Sequence, residues 1–171
     1  MAVTPPSQAQ HGITAGSIQA YFKRNYDTIF KAVDGLSHED SFIQPQPAGN
    51  CFNWVLGHIV ATRGYALDLL GEPAVWSEDD ASRYRTGSAA ITDSSQGKPL
   101  TELLEAVTSS QTQLITALQN VAEDVLARPC ESPGDDATVA EFLTTLAWHE
   151  SYHVGQLAMQ RRFAGLPGLM P

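Results

Sequence analysis

TVAEFLTTLAWHESYHVGQL, residues Thr138 to Leu157, is the stretch on which the reading of this chain turns. It opens with Thr138-Val139-Ala140-Glu141, a capping-box pattern. In such a box the threonine hydroxyl and the glutamate carboxylate each satisfy an amide hydrogen that the first helical turn leaves free. The spacing predicts one helix running to Gly165, with Pro167 beyond it and Arg161 and Arg162 complementing the dipole of the last turn. Its core stripe reads Phe142, Leu146, His149, His153, Leu157, so two imidazoles stand where the periodicity calls for aliphatic side chains. Residues four apart are offset by roughly 40° around the axis and by one turn along it, which lets both rings reach one ion.

Three further segments carry helical patterning. The first begins near Thr14, places Ile18, Tyr21, Phe22, Ile29 and Val33 on one face, and stops at Gly35. The second starts after Asn50, read as its N-cap, with Trp54, His58, Ala61, Tyr65 and Leu69 along a stripe and Gly71 and Pro73 at its end. The third follows Pro99 and repeats Leu103, Val107, Leu114, Leu118, Val121 and Val125 before Pro129. Period-two alternation and hairpin turn signals are nearly absent, so the expectation is an all-α four-helix bundle. Residues 14–171 form its single domain, after an irregular segment over residues 1–13. Residues 74–98, rich in Ser, Asp, Gly and Thr, make a connection longer than structure alone requires. Such a loop either crosses the bundle or covers a site.

Composition limits the function classes. The chain has 171 residues, 43% hydrophobic and 17% charged, ordinary values for a folded domain. Nineteen acidic against ten basic residues give a net charge of -9, which repels nucleic acid and anionic membrane surfaces alike. The start, MAVTPPSQAQHG, has neither a basic nor an apolar leader region, and no run is long enough to span a bilayer, so a cytoplasmic protein is expected. Cys51 and Cys130 form no Cys-x-x-Cys pair and no disulfide framework, and read as idle or buried thiols.

His149-Glu150-x-x-His153 is also the ligand pattern of zinc peptidases, which take a further ligand downstream. Here the register fails: Gly155 precedes Gln156, Met159 stands where a histidine would be needed, and Val154 to Pro171 contains no Asp, Glu, His or Cys. Any third ligand therefore comes from earlier in the chain. His58, between Trp54 and Ala61 on the second helix's core stripe, repeats the conflict seen on the fourth. A lone core histidine is ordinarily a hydrogen-bonded one, but three neutral imidazoles seldom cluster without a metal. Cys51 is two turns from His58, roughly 10 Å along the axis, too far to share an ion. His11 and His38 fall in irregular segments and read as surface residues.

The segments NWVLGHIV and WHESYHVGQL, with their His-x-x-x-His-x-Gly-Gln pattern and upstream helical histidine, resemble the DinB-like (DinB/YfiT-like) superfamily of metal-binding four-helix bundles. The likeness extends from about Ser17 to Gly165. The resemblance implies His58, His149 and His153 as metal ligands. It also implies an up-down-down-up arrangement with the long loop as the crossover between helices 2 and 3.

Around that triad, Gly57, Gly64 and Gly155 interrupt helices, which indicates close packing or room kept beside an ion. Glu150, about 60° around the helix from His153, is the candidate catalytic base, with a hydrogen-bonding role toward a ligand, or a solvent-facing or salt-bridged carboxylate, as alternatives. Tyr152 and Gln156 are candidates for orienting substrate. Three neutral imidazoles leave a divalent ion its full charge and an open position, the composition of a catalytic site. Zinc or nickel is expected, iron or copper being compatible with imidazole as well. The chemistry expected is thiol-transferase or hydrolase type on a small molecule, with a low-molecular-weight thiol as one class of cosubstrate that the resemblance brings in. The alternatives are a non-catalytic small-molecule binding or stress-response module, and a bundle that serves only as a homodimer subunit.

Overall fold

The computed structural model describes residues 13–132 and 135–169. The irregular segment expected at residues 1–13, His11 included, lies outside them except for Ile13. Four long helices dominate: α1 (Ala15–Val33), α2 (Phe52–Leu69), α4 (Leu100–Asn120) and α6 (Val139–Phe163). Two short helices, α3 (Glu78–Ser82) and α5 (Glu123–Ala127), lie in the connections, and β1 (Pro129–Ser132) pairs antiparallel with β2 (Asp135–Thr138).

Local chemistry sets the ends. Thr14 caps α1 in a reciprocal box with Ser17, and Thr138 caps α6 in the box with Glu141. Gly35, Gly71 and Gly165 terminate α1, α2 and α6 at positive φ, a conformation that costs glycine little. Two ends differ from the sequence reading. Cys51, not Asn50, holds the N-cap position of α2, with its thiol donating to the Ile91 carbonyl at 3.2 Å. The third long helix stops at Asn120, because Val121 turns extended, and Val125 belongs to the separate α5.

Hydrogen bonds between helices define their directions. Asn25 donates to the Ala147 carbonyl and Arg161 to that of Ala32, so α1 and α6 run the same way. Gln160 reaches Asn50 while Arg63 reaches Glu150, so α2 opposes α6. Asn53 meets Lys98 and Arg63 meets Val107, making α2 and α4 parallel neighbours. The order is up, down, down, up. Because α2 and α4 run in the same direction, residues 70–99 return along the bundle, anchored by Tyr84, whose hydroxyl donates to Asn53 and accepts from the Lys98 amide.

The core has two apolar halves. One gathers Ile29, Leu56, Ile59, Leu103, Val107 and Leu157. The other gathers Ile18, Phe22, Leu67, Leu114, Leu118 and Leu143. Between them in the sequence of every long helix fall buried polar residues: Asn25, Arg63, Ser110 with Gln111, and Glu150. Two aromatic positions assigned to core stripes face solvent instead, Tyr21 at 53% exposure and Tyr65 at 48%. On α1 the inward positions belong to Asn25 and Ala32, and α2 is buried on nearly every face, so it has no stripe to read.

Candidate metal centre

His58 comes from the middle of α2, and His149 and His153 from successive turns of α6. The antiparallel contact of those helices brings the three imidazoles together: one nitrogen from each lies within 4.8 Å of the others. His149 and His153 present their Nε2 atoms to each other at 3.1 Å. Ligands about 2.0–2.1 Å from one ion, at angles between octahedral and tetrahedral, are about 2.8–3.4 Å apart, so this spacing fits a shared ion.

The opposite ring nitrogens are held. Tyr84 offers its carbonyl oxygen to His58 Nδ1 at 2.7 Å, and a carbonyl only accepts, so Nδ1 carries the proton and Nε2 keeps its lone pair. Gln156 does the same for His153: its Oε1 lies 2.7 Å from Nδ1, while its Nε2 donates to the Tyr152 hydroxyl. Among the described residues, His149 Nδ1 is buried without a partner. Two neighbouring ε nitrogens need either a proton or a cation between them. If His149 supplies the proton, its buried Nδ1 is left a bare acceptor, and if a cation takes both lone pairs that Nδ1 keeps a proton without an acceptor. The pairing of the two ε nitrogens, and not Nδ1, is therefore what a cation would satisfy.

Burial lowers the pKa of all three histidines. For His58 the Tyr84 carbonyl opposes the effect and His149 adds to it, and for His149 the Glu150 charge opposes it. His153 is pushed down to about 4, chiefly by burial, with Gln156 opposing. The imidazoles are therefore neutral at physiological pH, the form in which they bind metal.

Tyr84 is held where it is by a glycine. A Cβ on Gly57 would come within 2.2 Å of the Tyr84 ring, so only glycine admits the ring whose backbone carbonyl orients His58. Gly64 has ordinary contact with Ala74, and Gly155 faces open space, so neither makes the close approach that the sequence suggests. His58 also stacks on Trp54, with centroids 4.8 Å apart and planes 11° from parallel.

The rings line a cavity of about 540 Å³, with Trp54, Val55, Tyr152, Met159 and Phe163 in its walls. Glu150 is not among the lining residues. Both its oxygens accept from Arg63, at 2.8 Å each, with Arg63 and Glu150 only 1% and 2% exposed. The geometry thus gives the candidate base the salt-bridge role and turns it toward the bundle's centre. Sequence reasoning missed Arg63, although a lone cation within the apolar run FNWVLGHIVATRGYALDL signals a buried partner. Cys51 stays bonded to Ile91, apart from the triad, and His38 accepts from the Leu100 amide at the start of α4.

The sequence pattern of the DinB superfamily matches residues 21–157. The chain belongs to the DinB superfamily. Solved structures share the fold of this DinB-superfamily bundle. A DinB-like protein from Bacillus cereus is 21% identical, with 92% of this chain and 98% of that one covered at a TM-score of 0.69. YfiT from Bacillus subtilis, described as a probable metal-dependent hydrolase with an unusual four-helix bundle topology, is 13% identical over 98% and 97% at 0.69. A conserved protein from Enterococcus faecalis is 12% identical over 88% and 96%, also at 0.69. No curated protein matches the chain. Among the described residues, no helix is long and apolar enough to cross a membrane.

Proposed function

We propose that this chain is a metal-dependent enzyme of hydrolase or thiol-transferase type that acts on a small molecule, with His58, His149 and His153 holding a divalent ion. The observation that carries the reading is the pairing of two outer nitrogens, His58 Nδ1 with Tyr84 and His153 Nδ1 with Gln156, which leaves their Nε2 lone pairs for the ion beside an open cavity. The likeness to YfiT, itself described as a probable metal-dependent hydrolase, supports it. A divalent ion there supplies Lewis acidity and a nucleophile, from water or a thiol, near neutral pH. The protein's part is to hold the three imidazoles neutral, to orient His58 and His153, and to wall the site with the buried Trp54 and Val55. Zinc and nickel both suit the donor set.

A second reading, a non-catalytic module in which the ion only shapes a binding pocket, is favoured by one observation. Among the described residues lining the cavity no carboxylate is present to take a proton, since Glu150 is committed to Arg63. Metal analysis of untagged protein tests the common core of both. His58→Ala, His149→Ala and His153→Ala are each expected to lose the ion, and His38→Ala to retain it. Equal metal content in all four would end the three-histidine assignment. Turnover of metal-loaded protein, with and without added thiol, then separates enzyme from binding module.

A further inference from the structure

The cavity at the triad also has a charge character. Its fifteen described lining residues include no Lys, Arg, Asp or Glu. Arg63 is paired with Glu150 and Arg85 with Glu78, Arg161 donates to the Pro167 and Ala32 carbonyls, and Arg162 lines a separate groove with Gly168 and Leu169. The walls are the buried Trp54 and Val55, and the mouth carries Tyr152, Met159 and Phe163, large side chains left about half exposed along α6. Their polar neighbours, among them Asn50, Thr86 and Gln160, are uncharged. An exposed apolar rim over a cavity with a few neutral polar groups is the ordinary make-up of a site for an apolar small molecule. The chain's net charge of -9 disfavours anions further.

We infer that the site takes a small molecule with an uncharged, apolar body, whose one charged or metal-binding group is the one presented to the three histidines. This rests on the three-histidine metal reading and narrows it. A substrate or thiol carrying additional carboxylates would set them against Trp54, Met159 and Phe163 with no cation among the described lining residues to pair them, at a cost that grows with burial. Neutral thiols and neutral hydrolysable compounds meet the requirement equally.

The test uses the full chain reconstituted with zinc and titrated calorimetrically with two probes, a phenylalkyl hydroxamic acid and its para-carboxylate analogue. Both carry the same metal-binding head, so their difference reports on the body alone. The neutral probe is expected to bind at least about tenfold more tightly, in keeping with the cost of an unpaired buried carboxylate. Met159→Lys, at an exposed position on the rim, is expected to narrow that gap by supplying the missing cation. Equal affinities, tighter binding of the carboxylate, binding of neither probe by zinc-loaded protein, or an unchanged gap in Met159→Lys would overturn the inference. Zinc content measured beforehand keeps the two claims apart: wild-type protein that retains no zinc strikes the metal reading itself, whereas zinc retained without the preference strikes only the neutral-substrate inference.

Discussion

Gln156 shows how much a single residue beyond the ligands controls. Its Oε1 fixes the proton of His153 on Nδ1, and its Nε2 is steadied by Tyr152. Gln156→Leu removes the acceptor and frees the ring to change tautomer, so metal affinity is expected to fall by about 10- to 100-fold, the usual effect of losing such a partner. Gln156→Glu keeps an acceptor in place and is expected to retain most of it, as competition with a chromogenic chelator would measure. His153 also sets a pH dependence for the metal-free protein. Its pKa in the fold, about 4, lies below its ordinary value of 6.5, so between the two the unfolded chain binds a proton that the fold resists. Its stabilising contribution is complete above about 6.5 and is lost as pH falls toward about 4. Urea midpoints measured across that window should slope less in His153→Gln than in wild type, and identical slopes would remove the assignment.

At the scale of elements, the contact of α2 with α6 is held by the Arg63–Glu150 pair, which also ties α4 through the Val107 carbonyl and Ser110. Neutralising one member leaves the other charged and buried, so Glu150→Gln is expected to destabilise the protein by about 3 kcal/mol or more. Replacing both Arg63 and Glu150 by apolar residues of similar size should recover much of that. A Glu150→Gln protein of unchanged denaturation midpoint would contradict this account. The outcome also bears on catalysis, since lost turnover in that variant would then reflect misplaced helices and not a missing base. These elements were unevenly legible in the sequence. The capping box at Thr138, the start of α1 near Thr14 and the two-histidine turn could be read because each is a local pattern. The stripe of α2 could not, because a helix buried on nearly every face has no polar side to set the phase. The hairpin escaped for a related reason: strands of four residues, PCES and DDAT, are too short and too polar to show alternation. Tyr84, though it orients His58, sits in a loop where only the fold brings it back to Gly57.

For the whole molecule, the question is whether the ion makes the fold or uses it. Both apolar halves of the core are built from all four long helices, and most of their residues lie away from the triad. Chelation at neutral pH is therefore expected to lower the melting temperature by the amount that binding energy contributes, while helical circular dichroism at room temperature persists. Complete loss of helix on chelation would make the ion structural and weaken the case for an open catalytic position.

The burial of α2 on nearly every face has one more consequence. With thirteen of its eighteen residues buried, its amide hydrogens meet solvent only when the whole bundle opens. In deuterium, α2 should be the slowest segment to exchange, while α6, with Trp148 and Tyr152 on its outer face, can open by local fluctuation. His58 hangs from the first of these helices and His149 and His153 from the second. An ion shared by all three would couple their clocks, and the amides near His149 and His153 would slow toward the rate of α2.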